Sequence, residues 1–93
     1  MVCKRVFLSG KVQGVSFRFH AHEMATKLKL HGWIRNLNDG RVELLVSGPT
    51  GTVDQMIAWA RKGPPQADIK NVEITDSKDA PKEPFFIRRD GGK

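Results

Sequence analysis

The chain has a single cysteine, no apolar run near the length of a membrane span, and ten acidic residues against sixteen basic ones. One cysteine excludes an internal disulfide and a thiolate-rich metal site, and Cys3, beside the chain start, is poorly placed for a nucleophile. A spanning helix needs about 20 consecutive apolar residues, and MVCKRVFLSG is basic without the hydrophobic stretch of a signal peptide. The expectation is a cytoplasmic protein with no membrane partner. Also missing are HExxH, a Cys/His cluster, a convincing carboxylate pair for Mg²⁺, and the G-K-[ST] of a Walker loop. His20 and His22 are two apart, so on a helix they point about 200° from each other and do not chelate one ion. His31, by a helix end, is read as a dipole contact. No metal and no cofactor are expected.

What is present describes one small domain. Ninety-three residues close one hydrophobic core and not two, with 39% hydrophobic and 28% charged residues in the range of an ordinary globular protein. The reading is a single domain over 1–90 and a flexible tail over 91–93, with a monomer as default. The net charge of +6 favours an anionic partner. Nucleic acid, a phosphorylated metabolite and a solvated basic surface all satisfy it.

The hydrophobic period changes along the chain. KRVFLS, residues 4–9, reads as a strand closed by Gly10. Phe17, Ala21, Met24, Ala25 and Leu28 then form one stripe of an amphipathic helix, with Ser16 as N-cap and Gly32 as the left-handed terminator. Trp33–Leu37 returns to extended character, NDG at 38–40 signals a type I′ hairpin turn, and RVELLVS places Val42, Leu44 and Val46 on one face. TVDQ at 52–55 matches a capping box before a second helix, whose stripe is Val53, Met56, Ile57 and Ala60 and whose stop is Gly63-Pro64-Pro65. ADIKNVEIT, residues 67–75, is a fourth strand whose apolar phase slips near Lys70 and Asn71, the mark of a bulge. DSKDAPKEP is a surface loop, FFI at 85–87 offers a short edge strand, and RRDGGK reads as a frayed tail.

This order, βαββαβ with that short fifth edge strand, implies a ferredoxin-like α/β sandwich of the α+β class. Its sheet is mainly antiparallel, with both helices on one face by the right-handed crossover rule. Such a fold hosts many functions, so function has to come from a site. A metal carrier would place two cysteines after the first strand, and there are none. An RNA-recognition module needs aromatics on its two central strands; the third strand, RVELLVS, has none, and Phe7 is read as core, so no nucleic-acid partner is expected. Trp33 and Trp59 are read as packing residues, and Glu43 as a solvated strand position.

One stretch, GKVQGVSFRFH at 10–20, suits an oxyanion. A glycine-containing turn before a helix points backbone N–H groups inward at the positive end of the helix dipole. Arg18, in the first helical turn, opposes that dipole, where stability alone favours Asp or Glu, yet its guanidinium fork matches a phosphate. On physical grounds a phosphate cradle and an ordinary turn with a surface arginine are evenly matched.

LSGKVQGVSFR, residues 8–18, resembles the signature of the acylphosphatases, with a glycine, Val-Gln-Gly, an aromatic and an arginine at this spacing. GWIRNLNDGRVELLVSG, residues 32–48, is similar to the family's second signature through Gly32, Trp33, Arg35, Asn36, Gly40, Val42 and Gly48, and GPPQA at 63–67 is also family-like. Ile34 stands where the family more often has Val or Ala. The resemblance implies hydrolysis of a small acyl phosphate to a carboxylate and inorganic phosphate, the product doubling as a competitive ligand. It implies that Arg18 and the backbone of Gln13, Gly14, Val15, Ser16, Phe17 and Arg18 hold the phosphate, and that Asn36 orients the attacking water. A noncatalytic anion-binding or protein-interaction module with the same cradle is the alternative, and it has no need of Asn36.

Overall fold

The structure is a computed structural model that describes residues 1–89. Residue 90 and the expected tail over 91–93 lie outside the described residues. The elements in chain order are β1 (Val2–Lys11), α1 (Phe17–Lys27), β2 (His31–Asn36), β3 (Val42–Gly48), α2 (Thr50–Lys62), β4 (Asp68–Asp76) and β5 (Phe86–Ile87). The sheet runs β4-β1-β3-β2-β5, antiparallel throughout except for the β2–β5 pair. This is the ferredoxin-like α+β fold.

The alternation along each strand sends Val6, Leu8, Ile34, Val42, Leu44 and Val46 to one face, where all are fully buried against the helices. Phe17, Ala21 and Ala25 of α1 meet Val53, Met56, Ile57 and Ala60 of α2 on that face. Phe17 also packs edge-on against Trp59, with ring centroids 5.3 Å apart. A buried aromatic of this kind contributes about 3–5 kcal/mol relative to alanine. It therefore fixes the start of α1, and with it the loop just before. The slip expected near Lys70 is a bulge: Ser9 pairs with Asn71 and Gly10 with Ile69, leaving Lys70 as the extra residue.

Several local expectations are corrected. α1 ends in a Schellman motif, in which Leu30 N–H donates to Ala25 O at 2.9 Å and Lys29 N–H to Thr26 O at 3.1 Å, so the left-handed residue is Lys29 (φ 58°) and not Gly32. Gly32 is inside β2, at φ 128°, because a Cβ there would stand 1.9 Å from Leu45 O. Ser16 occupies the N-cap position of α1 but is left-handed (φ 61°), and its side chain makes no capping bond. α2 begins at Thr50 behind Pro49, whose carbonyl accepts from Val53 N–H at 2.9 Å, so TVDQ is inside the helix and is not its cap. The NDG turn has positive φ at Gly40 alone, with Leu37 N–H donating to Arg41 O at 2.8 Å. It is a three-residue loop and not a type I′ turn. His31 starts β2, its Nδ1 2.9 Å from Glu83 O, and does not cap a helix.

The face of the sheet away from the helices also differs from expectation. Glu43 is 3% exposed, paired with Arg5 and with Arg35, whose Nε lies 2.7 Å from its Oε1. Phe7 is on this face, half-buried under the Arg41 guanidinium at 4.8 Å, and is not core. Trp33 is half-buried there with Arg88 over its ring at 4.3 Å and Arg35 at 5.3 Å. RRDGGK is accordingly no frayed tail at its start, since Arg88 N–H also donates to Ile34 O at 2.8 Å.

Candidate active site

Between the end of β1 and the start of α1 the chain turns through residues 12–16. Gly14 has φ 76° with open space where a Cβ would stand, and Ser16 follows in the same left-handed region. Left-handed residues in such a turn suit an anion-binding nest, in which successive amides face one point. Among the described residues, no backbone N–H of Gln13, Gly14, Val15, Ser16 or Phe17 donates to a protein acceptor. The first turn of α1 adds the partial positive charge of its dipole and holds no acidic side chain.

A cavity of about 410 Å³ opens over this turn. Gln13, Gly14, Ser16, Phe17, Arg18 and Asn36 line it, so six of the seven residues singled out in the sequence meet at one place. Val15 does not line it; its side chain is 5% exposed and belongs to the core, leaving its backbone to the turn. Asn36 comes from the last position of β2, on the face that carries Ile34. It is 5% exposed, and its Oδ1 is buried with no hydrogen-bond partner among the described residues. An unsatisfied buried carboxamide oxygen costs about 1–3 kcal/mol, a cost that a water or a ligand in the cavity offsets by donating to it.

The turn is tied to the neighbouring hairpin by a side chain read only as backbone in the sequence. Gln13 Nε2 donates to Leu37 O at 2.9 Å and to Arg41 O at 3.0 Å, joining the cradle to the turn that follows Asn36. Arg18 is pushed below the usual arginine range, first by burial and second by the positive charge of Arg89. Arg89 lines the cavity with Phe19 and Ile87, and none of the three was singled out from sequence. Nothing in an apparent tail announces a site; the pairing of β5 beside β2 was the missing information.

Other concavities lack this convergence. A groove of about 550 Å³ lies along the helices past His20, His22, Met24 and Trp59, and neither Arg18 nor Asn36 lines it. Among the described residues, no group of three His, Cys, Asp or Glu side chains is placed to hold a metal ion. Among the described residues, no helix is long and apolar enough to cross a membrane.

The model of the family described as acylphosphatase matches residues 4–87, a span that contains both the cradle and Asn36. The chain belongs to the acylphosphatase family. An acylphosphatase from an Azoarcus species is 50% identical over 75% of this chain and 71% of its own length. One from Chloroflexus aurantiacus is 42% identical over 92% of this chain and 94% of its own. The crystal structure of an acylphosphatase from Bacillus subtilis superposes with a TM-score of 0.89 at 34% identity, covering 95% of this chain and 99% of that one.

Proposed function

We propose that this cavity hydrolyses small acyl phosphates to a carboxylate and inorganic phosphate without a metal ion. Arg18 and the N–H groups of residues 13–18 hold the phosphoryl oxygens, and Asn36 orients the attacking water. The observation that carries the reading is the buried, unpartnered Oδ1 of Asn36 in the same cavity as Arg18 and the unpaired amides of the turn. A carboxamide accepts a hydrogen bond from water through its oxygen and offers its NH₂ to a phosphate oxygen, which suits an orienting role and not that of a base.

The chemistry asks for little more. The water oxygen bonds to phosphorus as the bond from phosphorus to the acyl oxygen breaks, the carboxylate departs with that electron pair, and the water proton ends on a phosphate oxygen. A carboxylic acid has a pKa of about 4, so its anion leaves without a general acid. A loose phosphoryl-transfer transition state needs positioning and charge stabilisation, which a guanidinium fork and preorganised N–H groups supply.

The proposal includes one domain over residues 1–90 acting as a cytoplasmic monomer. Hydrolysis of acetyl or benzoyl phosphate in excess chelator tests it. Turnover is expected, and Arg18→Ala lowers it by at least about 10²-fold while the circular dichroism spectrum is kept. Phosphate binding without hydrolysis contradicts the enzyme and leaves the noncatalytic anion-binding module.

A further inference from the structure

The cavity holds a second guanidinium that no reading of the loop requires. β5 pairs in parallel with β2 so that Trp33 faces Phe86 and Ile34 faces Ile87. Arg88 N–H donates to Ile34 O at 2.8 Å, which carries the pairing past the end of β5. In that register Asn36 comes level with residue 89. Alternation then separates the two adjacent arginines. Arg88 is on the face away from the helices, its guanidinium 4.3 Å above Trp33, while Arg89 falls on the face of Ile34 and Asn36 and lines the same cavity as Arg18. Among the described residues that line this cavity, both charged side chains are cations.

We propose that Arg89 is a second phosphate-binding residue, closing on the phosphoryl group opposite Arg18 and selecting its dianionic form. This rests on the reading of the cavity as a phosphate site. Two like charges that line one cavity oppose each other less when an anion lies between them, and Arg89 adds to burial in lowering the Arg18 pKa for the same physical reason. A dianion relieves that opposition more completely than a monoanion does. Arg89 is exposed, at the mouth of the cavity, so it acts on capture of the phosphate and Arg18 on its placement deeper in. The substrate class that gains is any acyl phosphate carrying its full charge of two.

The test is calorimetric titration of inorganic phosphate into the whole chain and into Arg89→Gln, Arg89→Lys and Arg88→Gln, at pH 5.5 and pH 8. One charge-assisted contact corresponds to roughly a tenfold change in affinity. Arg89→Gln is expected to weaken phosphate about tenfold at pH 8 and much less at pH 5.5, where the monoanion prevails, while Arg89→Lys keeps most of the affinity. Arg88→Gln, one residue away and on the other face, leaves it unchanged. With benzoyl phosphate the loss in Arg89→Gln falls on KM and not on kcat. If the unaltered chain binds phosphate and Arg89→Gln binds it equally well at both pH values, Arg89 has no such role and the proposed hydrolysis stands. If the unaltered chain binds no phosphate, both proposals fall together.

Discussion

The carboxamide of Gln13 donates to the main-chain carbonyl of Leu37 at 2.9 Å, joining the cradle to the residue immediately after Asn36. The same nitrogen donates to Arg41 O at 3.0 Å, so one side chain spans the hairpin loop. Through it the turn at 12–16 and the end of β2 keep a fixed separation. Gln13→Ala removes one donor from each of two carbonyls that keep a backbone partner, and is expected to cost about 1 kcal/mol in urea denaturation and to lower turnover. Gln13→Glu sets a carboxylate against those carbonyls and is expected to cost more. Equal stability and activity in both variants would show that the two halves of the site are not held by this contact.

Two glycines of the family signatures differ in what they tolerate. A Cβ on Gly14 meets nothing within 4 Å, so Gly14→Ala carries only the left-handed backbone cost of about 1–2 kcal/mol. A Cβ on Gly32 would lie 1.9 Å from Leu45 O, an overlap relieved only by parting β2 from β3. Gly32→Ala is therefore expected to lose more than about 3 kcal/mol or fail to fold. Denaturation midpoints of the two variants compare the costs, and a Gly32→Ala protein as stable as Gly14→Ala contradicts the packing described.

Glu43 separates stability from activity. It is buried between Arg5 and Arg35 on the face of the sheet away from the helices, whereas the cavity opens on the helix side. Both arginine side chains are about a quarter exposed, so solvent screens part of the pairing. Glu43→Gln is expected to lower stability by about 2 kcal/mol with kcat and KM unchanged. A kinetic defect in a folded Glu43→Gln protein would connect the two faces, against this prediction.

One pH effect has a definite sign. The Arg41 backbone N–H, at 3.1 Å from Asp39 Oδ1, and the Arg41 guanidinium hold the Asp39 carboxyl below its usual range. A carboxyl with a depressed folded-state pKa contributes stability above its ordinary pKa of about 4, and that contribution is lost as pH falls through the depressed value. Carboxyl shifts followed by NMR from pH 7 to pH 2 are expected to show Asp39 titrating below an ordinary aspartate, and Asp39→Asn removes that step. An ordinary titration for Asp39 contradicts the contact.

The parts legible in the sequence are those where a local pattern has one physical solution. The helix stripes, the bulge at Lys70 and the order of elements along the chain follow from periodicity, and they suffice to place residues 12–16 ahead of a helix N-terminus. Asn36 was legible only through the family resemblance, because an asparagine at the end of a strand has no distinctive spacing. What stayed hidden depends on pairing between distant segments. Arg89 looks like tail until β5 is set beside β2, Glu43 looks solvated until Arg5 and Arg35 are seen to close over it, and Gln13 looks like a turn residue until Leu37 is opposite. The turn at 38–40 was misjudged because Asp-Gly serves more than one hairpin loop, and loop length decides which.

The central claim is that Asn36 serves the water and Arg18 the phosphate. It is tested most directly by measuring, on one preparation of Asn36→Ala, both the turnover of benzoyl phosphate in excess chelator and the affinity for inorganic phosphate. Turnover is expected to fall by at least about 10²-fold with phosphate affinity within about threefold of the unaltered chain, because the lost interaction acts in the transition state. Loss of phosphate affinity with turnover retained at saturating substrate would contradict the account.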